Sequence, residues 1–187
     1  MTPRALLLID IQVAFDDRYW GARNNPQAEE NAGRLLAHWR AAEAPVFHVR
    51  HLSVEPASPL NPVFDRVDFK PEVTPLPGEP VLQKHVNSAF IGTNLEARLV
   101  EAGIERLTIC GLTTPHCVST TARMAANLGF SVELVHDACA AFTRNANTAW
   151  RGGGAVSAEA IHAAALDQLN GEFARVMGVA EVLAERP

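Results

Sequence analysis

The chain has 187 residues, of which 48% are hydrophobic and 20% charged, a composition typical of one folded globular domain spanning residues 1–187. A formal net charge of −5 without any Lys/Arg cluster argues against nucleic acid and anionic membranes as partners. No stretch approaches the ~20 apolar residues of a membrane span, and Asp10 interrupts the N-terminal apolar run too early for a secretory signal. Three cysteines do not suggest a secreted disulfide framework, so we expect a cytoplasmic protein with reduced thiols.

Predicted strands and helices alternate along the chain. Residues 5–9 are uninterruptedly apolar, which is typical of a buried parallel strand. The predicted elements that follow are a helix at 27–42, strands at 45–49 and 81–83, a helix at 94–103, a strand at 106–110, a helix at 117–128, a strand at 131–135, a helix at 157–170 and a strand at 173–177. This alternation predicts an α/β fold with a right-handed, doubly wound parallel sheet.

Residues 51–80 interrupt the alternation. They hold seven of the twelve prolines, which disfavour helix interiors and central strands. Leu60, Val63, Phe64 and Phe69 give this segment apolar anchors. Long irregular segments in compact domains are usually functional, so we expect residues 51–80 to form either a pocket wall or a subunit contact.

Cys117 is the strongest candidate for a functional side chain. Gly111 is expected to break the strand at 106–110, and a tight turn then leads into a helix that starts at Cys117. Free backbone N–H groups and the helix dipole at that position favour thiolate over thiol. Cys110 and Cys139 are interpreted as small packing residues.

Asp10 and Lys84 follow two other predicted strands. Asp10 is a charge at the end of a buried strand, and Lys84 is one of only two lysines in the chain. The carboxyl ends of neighbouring parallel strands meet at one edge of a sheet, so the acid, the amine and Cys117 are expected to converge. That combination suits covalent catalysis, in which a carboxylate takes the thiol proton and an ammonium stabilises the anions.

Three motifs occur in a specific order: Leu-Ile-Asp-Ile-Gln at 8–12 with Phe15, then Lys84, then Gly-Leu-Thr-Thr-Pro-His-Cys-Val at 111–118. This pattern resembles the isochorismatase-like cysteine hydrolase superfamily, which includes nicotinamidases and N-carbamoylsarcosine amidohydrolases. The resemblance covers almost the whole chain. It implies a single-domain three-layer sandwich, with a mainly parallel six-stranded sheet between helices, and relatives are often homodimers or homotetramers.

The resemblance also implies roles for individual residues. Cys117 would be the nucleophile, Asp10 the general base and acid, and Lys84 the cation between them. The backbone N–H groups of Thr113 and Cys117 would form an oxyanion hole, with a cis peptide between Leu112 and Thr113.

Four residues are candidates for contact with the substrate. Phe15 matches an aromatic residue that lines the pocket in relatives, and Trp20 can close the pocket from the first loop. Leu112 and His116 flank the nucleophile turn. His116 is also a tempting base for Cys117, but adjacent residues at a helix start point in different directions, so we interpret it as a pocket-lining residue.

Metal and cofactor requirements are not expected. Relatives that hydrolyse nicotinamide hold a divalent ion with an Asp-x-His pair and a further His after the second strand, and here the corresponding stretch is His48-Val-Arg-His51-Leu-Ser. It contains no aspartate, and residues three apart on a strand point to opposite faces, so His48 and His51 should not share an ion. His51 can still reach the pocket from the strand end, or simply cap the strand.

These observations predict a metal-independent cysteine hydrolase that cleaves an amide or related C–N bond of a small molecule through a thioester. One alternative is an isochorismatase-type vinyl-ether hydrolase, although relatives with that activity can lack the cysteine. An alternative from another class is a thiol redox sensor or an idle scaffold, in which the thiol is reactive but has no substrate. Asp10 favours the hydrolase, because a sensor has no use for a general base.

Overall fold

The computed structural model describes residues 3–187. Six strands form one sheet in the order β3-β2-β1-β4-β5-β6, and every neighbouring pair is parallel. The strands are β1 Arg4–Ile9, β2 Val46–His51, β3 Val81–Lys84, β4 Arg106–Leu112, β5 Ser131–Ala140 and β6 Arg175–Met177. The predicted α/β class and six-stranded parallel sheet are confirmed. One sheet takes all of these strands, and one domain over residues 1–187 stays a prediction.

Five helices accompany the sheet: α1 Ala28–Ala41, α2 Leu95–Glu101, α3 Ser119–Asn127, α4 Ala158–Asp167 and α5 Val179–Leu183. The start of α4 is fixed by Ser157, whose Oγ accepts a hydrogen bond from the Ala160 N–H at 3.1 Å. Helix α5 was not predicted from the sequence, because it is five residues long and therefore too short to show helical periodicity. Within residues 3–187, no helix has the length and apolar character needed to cross a membrane.

The strand order reverses at the centre of the sheet. From β1 the chain adds β2 and β3 on one side, then returns to place β4 on the other side of β1. Ligands of open α/β sheets bind outside the carboxyl ends of the strands at such a reversal. Asp10 directly follows β1, and the turn that carries Cys117 follows β4, so the two side chains flank this crevice.

Gly111 does not end its strand, contrary to the sequence prediction. β4 continues to Leu112, with a register shift against β5 between Ile109 and Gly111. The φ angle of Gly111 is 135°, and a Cβ atom at this position would overlap the carbonyl oxygen of Ile9 on β1. Glycine is therefore needed for the close approach of β4 to β1 at the crevice.

Cys117 lies just before α3, whereas its predicted position was in the first turn of that helix. It belongs to a π-helical turn, Thr114–Val118, in which the Val118 N–H donates to the Thr113 carbonyl at 3.3 Å. Helix α3 begins only at Ser119. Wide turns of this kind often occur at functional sites.

Candidate active site

Lys84 brings the predicted catalytic residues together. Its Nζ lies 2.5 Å from Asp10 Oδ2 and 3.3 Å from Cys117 Sγ. A third group, Nδ1 of His51, lies 3.1 Å from the same nitrogen. All four residues are buried, and Cys117 keeps 7% of its surface exposed. The predicted convergence of Asp10, Lys84 and Cys117 is therefore present in the structure.

The backbone around Asp10 is fixed by the sheet. Asp10 has φ 52°, a left-handed conformation that aspartate tolerates better than most residues. Its N–H donates to the Val49 carbonyl of β2 at 2.9 Å. This conformation turns the chain at the end of β1, and the Asp10 carboxylate reaches Lys84.

The charges of the three groups are coupled. Burial raises the pKa of the Cys117 thiol, the Asp10 carboxylate raises it further, and the Lys84 ammonium only partly opposes this. Burial disfavours the Lys84 ammonium, but the Asp10 carboxylate, and Cys117 when its sulfur is deprotonated, outweigh burial and raise the lysine pKa. The pKa of Asp10 is raised by burial, against the effect of Lys84. The raised pKa of Cys117 favours a thiol over a thiolate, which is opposite to the expectation from a helix start.

Two acceptors are available to the thiol proton. Asp10 Oδ1 is enclosed and has no hydrogen-bond partner among residues 3–187, and an Asp10 carboxylate oxygen lies within 4.8 Å of the sulfur. The Oδ1 atom of Asn87 lies 3.7 Å from the sulfur, within reach of a weak S–H hydrogen bond. A buried, unpaired carboxylate oxygen is costly unless it has a function. Accepting the Cys117 proton would be such a function.

The sulfur faces a cavity of about 290 Å³. Phe15 and Trp20 form an aromatic wall with ring centroids 4.7 Å apart, and the Trp20 indole donates to the Ala14 carbonyl at 2.9 Å. The residues that line the cavity are Phe15, Trp20, His51, Ser53, Val54, Glu55, Ser58, Leu60, His85, Val86, Asn87, Thr113, His116 and Cys117. Its size suits a small molecule with an apolar and a polar part.

Three of the four predicted substrate contacts line this cavity: Phe15, Trp20 and His116. His116 is exposed, and its Nδ1 faces the Asn145 amide at 3.5 Å. Leu112 does not line the cavity. It is 1% exposed and packs in a hydrophobic cluster behind the aromatic wall, because β4 extends through it.

The proline-rich segment 51–80 forms one wall of the cavity through Ser53, Val54, Glu55, Ser58 and Leu60. The sequence predicted either this wall or a subunit contact for residues 51–80. His85 and Asn87 were not predicted as cavity residues, since they lie in a loop whose path no periodic pattern indicates.

The peptide between Leu112 and Thr113 is cis, as the sequence resemblance implied. Thr113 and Cys117, the two residues expected to supply oxyanion N–H groups, both line the cavity.

A divalent metal does not fit this site as it stands. Ligand atoms of Asp10, His51 and Cys117 lie within 4.8 Å of one another, close enough for a shared ion. However, the Lys84 ammonium already lies 2.5 to 3.3 Å from these three groups and supplies the cation. His48 is fully buried elsewhere, with its Nε2 2.7 Å from Glu79 Oε2, so the two histidines do not share a ligand position.

Comparison with known proteins agrees with this architecture. Residues 4–181 match the family model of the isochorismatase domain. The chain is 44% identical over 175 residues to the isochorismatase family protein YrdC of Bacillus subtilis, covering 93% of this chain and 91% of that protein. A crystal structure of a hydrolase of the isochorismatase family from Chromobacterium violaceum is 48% identical, with a TM-score of 0.91 over 98% of this chain and 93% of the other.

A streptothricin hydrolase of Streptomyces noursei is 37% identical over 144 residues, which are 74% of this chain and half of that enzyme. The family match spans nearly all of the described chain and includes the residues around Lys84. The chain therefore belongs to the isochorismatase family of hydrolases.

Proposed function

We propose that this protein is a metal-independent cysteine hydrolase that cleaves an amide or related C–N bond of a small molecule. The observation that carries the proposal is the position of Lys84 Nζ, which contacts both Asp10 Oδ2 and Cys117 Sγ. The similarity to a streptothricin hydrolase supports hydrolysis of a small molecule.

In the first half-reaction, Asp10 Oδ1 takes the thiol proton as Cys117 Sγ attacks the substrate carbonyl carbon. The Lys84 ammonium stabilises the negative charge of the sulfur and of the carboxylate at successive stages. The N–H groups of Thr113 and Cys117 receive the oxyanion of the tetrahedral intermediate. Asp10 then returns its proton to the leaving nitrogen, the C–N bond breaks, and an amine or ammonia departs from the thioester.

In the second half-reaction, water attacks the thioester and gives a proton to Asp10. The C–S bond breaks, the carboxylic acid leaves, and the sulfur recovers its proton. The unpaired Asp10 Oδ1 favours this cycle over a redox sensor, which needs an electropositive thiol but no proton acceptor.

A panel of small amides assayed for ammonia release tests the proposal. We expect turnover of at least one amide by the wild type and none by Cys117→Ala. Dialysis against a strong chelator should leave that activity unchanged. Release of ammonia by Cys117→Ala, or activity that vanishes with chelator and returns with one divalent ion, would overturn the mechanism. A cytoplasmic location and a homodimer or homotetramer stay predictions, the latter testable by light scattering.

A further inference from the structure

His51 contacts the catalytic lysine although it has no part in the predicted triad. An ammonium group has three N–H bonds, and Lys84 has three acceptors: Asp10 Oδ2 at 2.5 Å, His51 Nδ1 at 3.1 Å and Cys117 Sγ at 3.3 Å. His51 and Lys84 are register partners on the neighbouring strands β2 and β3. The third acceptor therefore occupies a position that the sheet itself sets.

Gln12 holds the backbone of His51 in place. The His51 N–H donates to Gln12 Oε1 at 2.8 Å, and Gln12 Nε2 donates to the His51 carbonyl at 3.1 Å. Gln12 is fully buried and also donates to the Val67 carbonyl at 2.8 Å. These bonds tie the end of β2 to the segment after Asp10, so the imidazole is built into the site.

The imidazole can accept from Lys84 only when Nδ1 carries no proton. Burial lowers the pKa of His51 to about 4, helped by the positive charges of Lys84 and His85 and slightly opposed by the Val86 backbone. His51 is therefore neutral at neutral pH. Its contact with the ammonium places the remaining ring proton on Nε2.

We propose that His51 is a positioning residue of this active site, which accepts from Lys84 at Nδ1 and thereby fixes the N–H that points at Cys117. With Asp10 and His51 holding two of the three N–H bonds, the third has one direction left, toward the sulfur. The charge that stabilises the thiolate is then preorganised before the thiol loses its proton. Without His51 the ammonium can turn away from Cys117.

The rate of Cys117 alkylation by iodoacetamide, followed against pH by mass spectrometry, tests this proposal without a substrate. His51→Leu removes the acceptor. His51→Asn keeps one, because Asn Oδ1 is bonded to Cγ as His Nδ1 is. His136→Gln is the matched control, since His136 is an exposed histidine on β5 that does not line the cavity.

We expect His51→Leu to slow alkylation of Cys117 at neutral pH about tenfold. The midpoint of the curve of alkylation rate against pH should rise by about one pH unit. His51→Asn should stay within about twofold of the wild type, and His136→Gln should match the wild type. If His51→Leu does not fold, His51→Gln replaces it, because its amide lies one bond farther out and should also lose the effect.

The proposal would be overturned if Cys117 in His51→Leu were alkylated at the wild-type rate, or if His51→Asn and His51→Leu slowed alkylation equally. The inference deepens the proposed function but fails separately from it. If no amide is hydrolysed but the expected alkylation rates are observed, the proposed hydrolase activity is wrong and the positioning role of His51 is kept.

Discussion

Replacing Asp10 by asparagine should slow hydrolysis and speed alkylation of the same cysteine. Asparagine has nearly the same shape and tolerates the left-handed φ of 52° at this position, so the fold should persist. Hydrolysis loses its proton acceptor and should fall by about two to four orders of magnitude. The thiol, in contrast, loses a negative neighbour that raises its pKa.

The size of the second effect follows from distance. A carboxylate charge no more than 4.8 Å from the sulfur destabilises the thiolate by about 3 kcal/mol at an effective dielectric constant of ~20, or roughly two pKa units. The thiolate fraction near neutral pH then rises about 100-fold, while its nucleophilicity falls about tenfold, because reactivity follows pKa with a slope of ~0.5. We expect a net increase in alkylation rate of about tenfold.

Iodoacetamide labelling of Cys117 measures this rate, with amide turnover measured in parallel. Glu101→Gln is the control, since Glu101 is exposed on α2 and lies outside the cavity, so that its removal should change neither rate. If the Asp10→Asn variant is folded but its Cys117 is alkylated no faster than in the wild type, the negative charge assigned to Asp10 is refuted. Near-normal turnover in that variant would refute Asp10 as the base.

Three further outcomes are expected. Cys117 should be alkylated before the other two cysteines, which are fully buried, and mapping of the first labelled peptide checks this. Gly111→Ala should lower stability by more than about 3 kcal/mol in urea unfolding, because no space exists for its Cβ, whereas Gly154→Ala, with open space around it, should not. The pKa of Glu79 is lowered from 4.5 to about 2, chiefly by Arg40, so Glu79→Gln should cost roughly 1 to 2 kcal/mol above pH 4.5. That difference should disappear as the pH falls to about 2, and equal losses at both pH values would contradict it.

The sequence was sufficient to predict the fold class and the residues at the strand ends. Alternating apolar strands and amphipathic helices leave few topologies, and an acid, a lysine and a cysteine after three such strands must then lie at one sheet edge. The resemblance added the cis peptide. These features are local or follow from the regularity of parallel sheets, so they can be identified without coordinates.

Other features depend on groups that are distant in sequence. The path of residues 51–80 over the site has no periodicity, so their part in the cavity wall appeared only in the structure. The close approach of Gly111 to Ile9 also required the packing of two strands about a hundred residues apart.

The charge state of the site was decided by tertiary structure alone. The prediction of a Cys117 thiolate rested on the nearby backbone alone, whereas burial and the Asp10 carboxylate raise the pKa of the thiol. The role of His51 also depends on tertiary structure. In the sequence it is one more histidine at a strand end, and only the register of β2 with β3 places its Nδ1 against Lys84. Sequence identifies which groups meet, but their protonation depends on desolvation and on distances of a few ångströms, which only the folded chain sets.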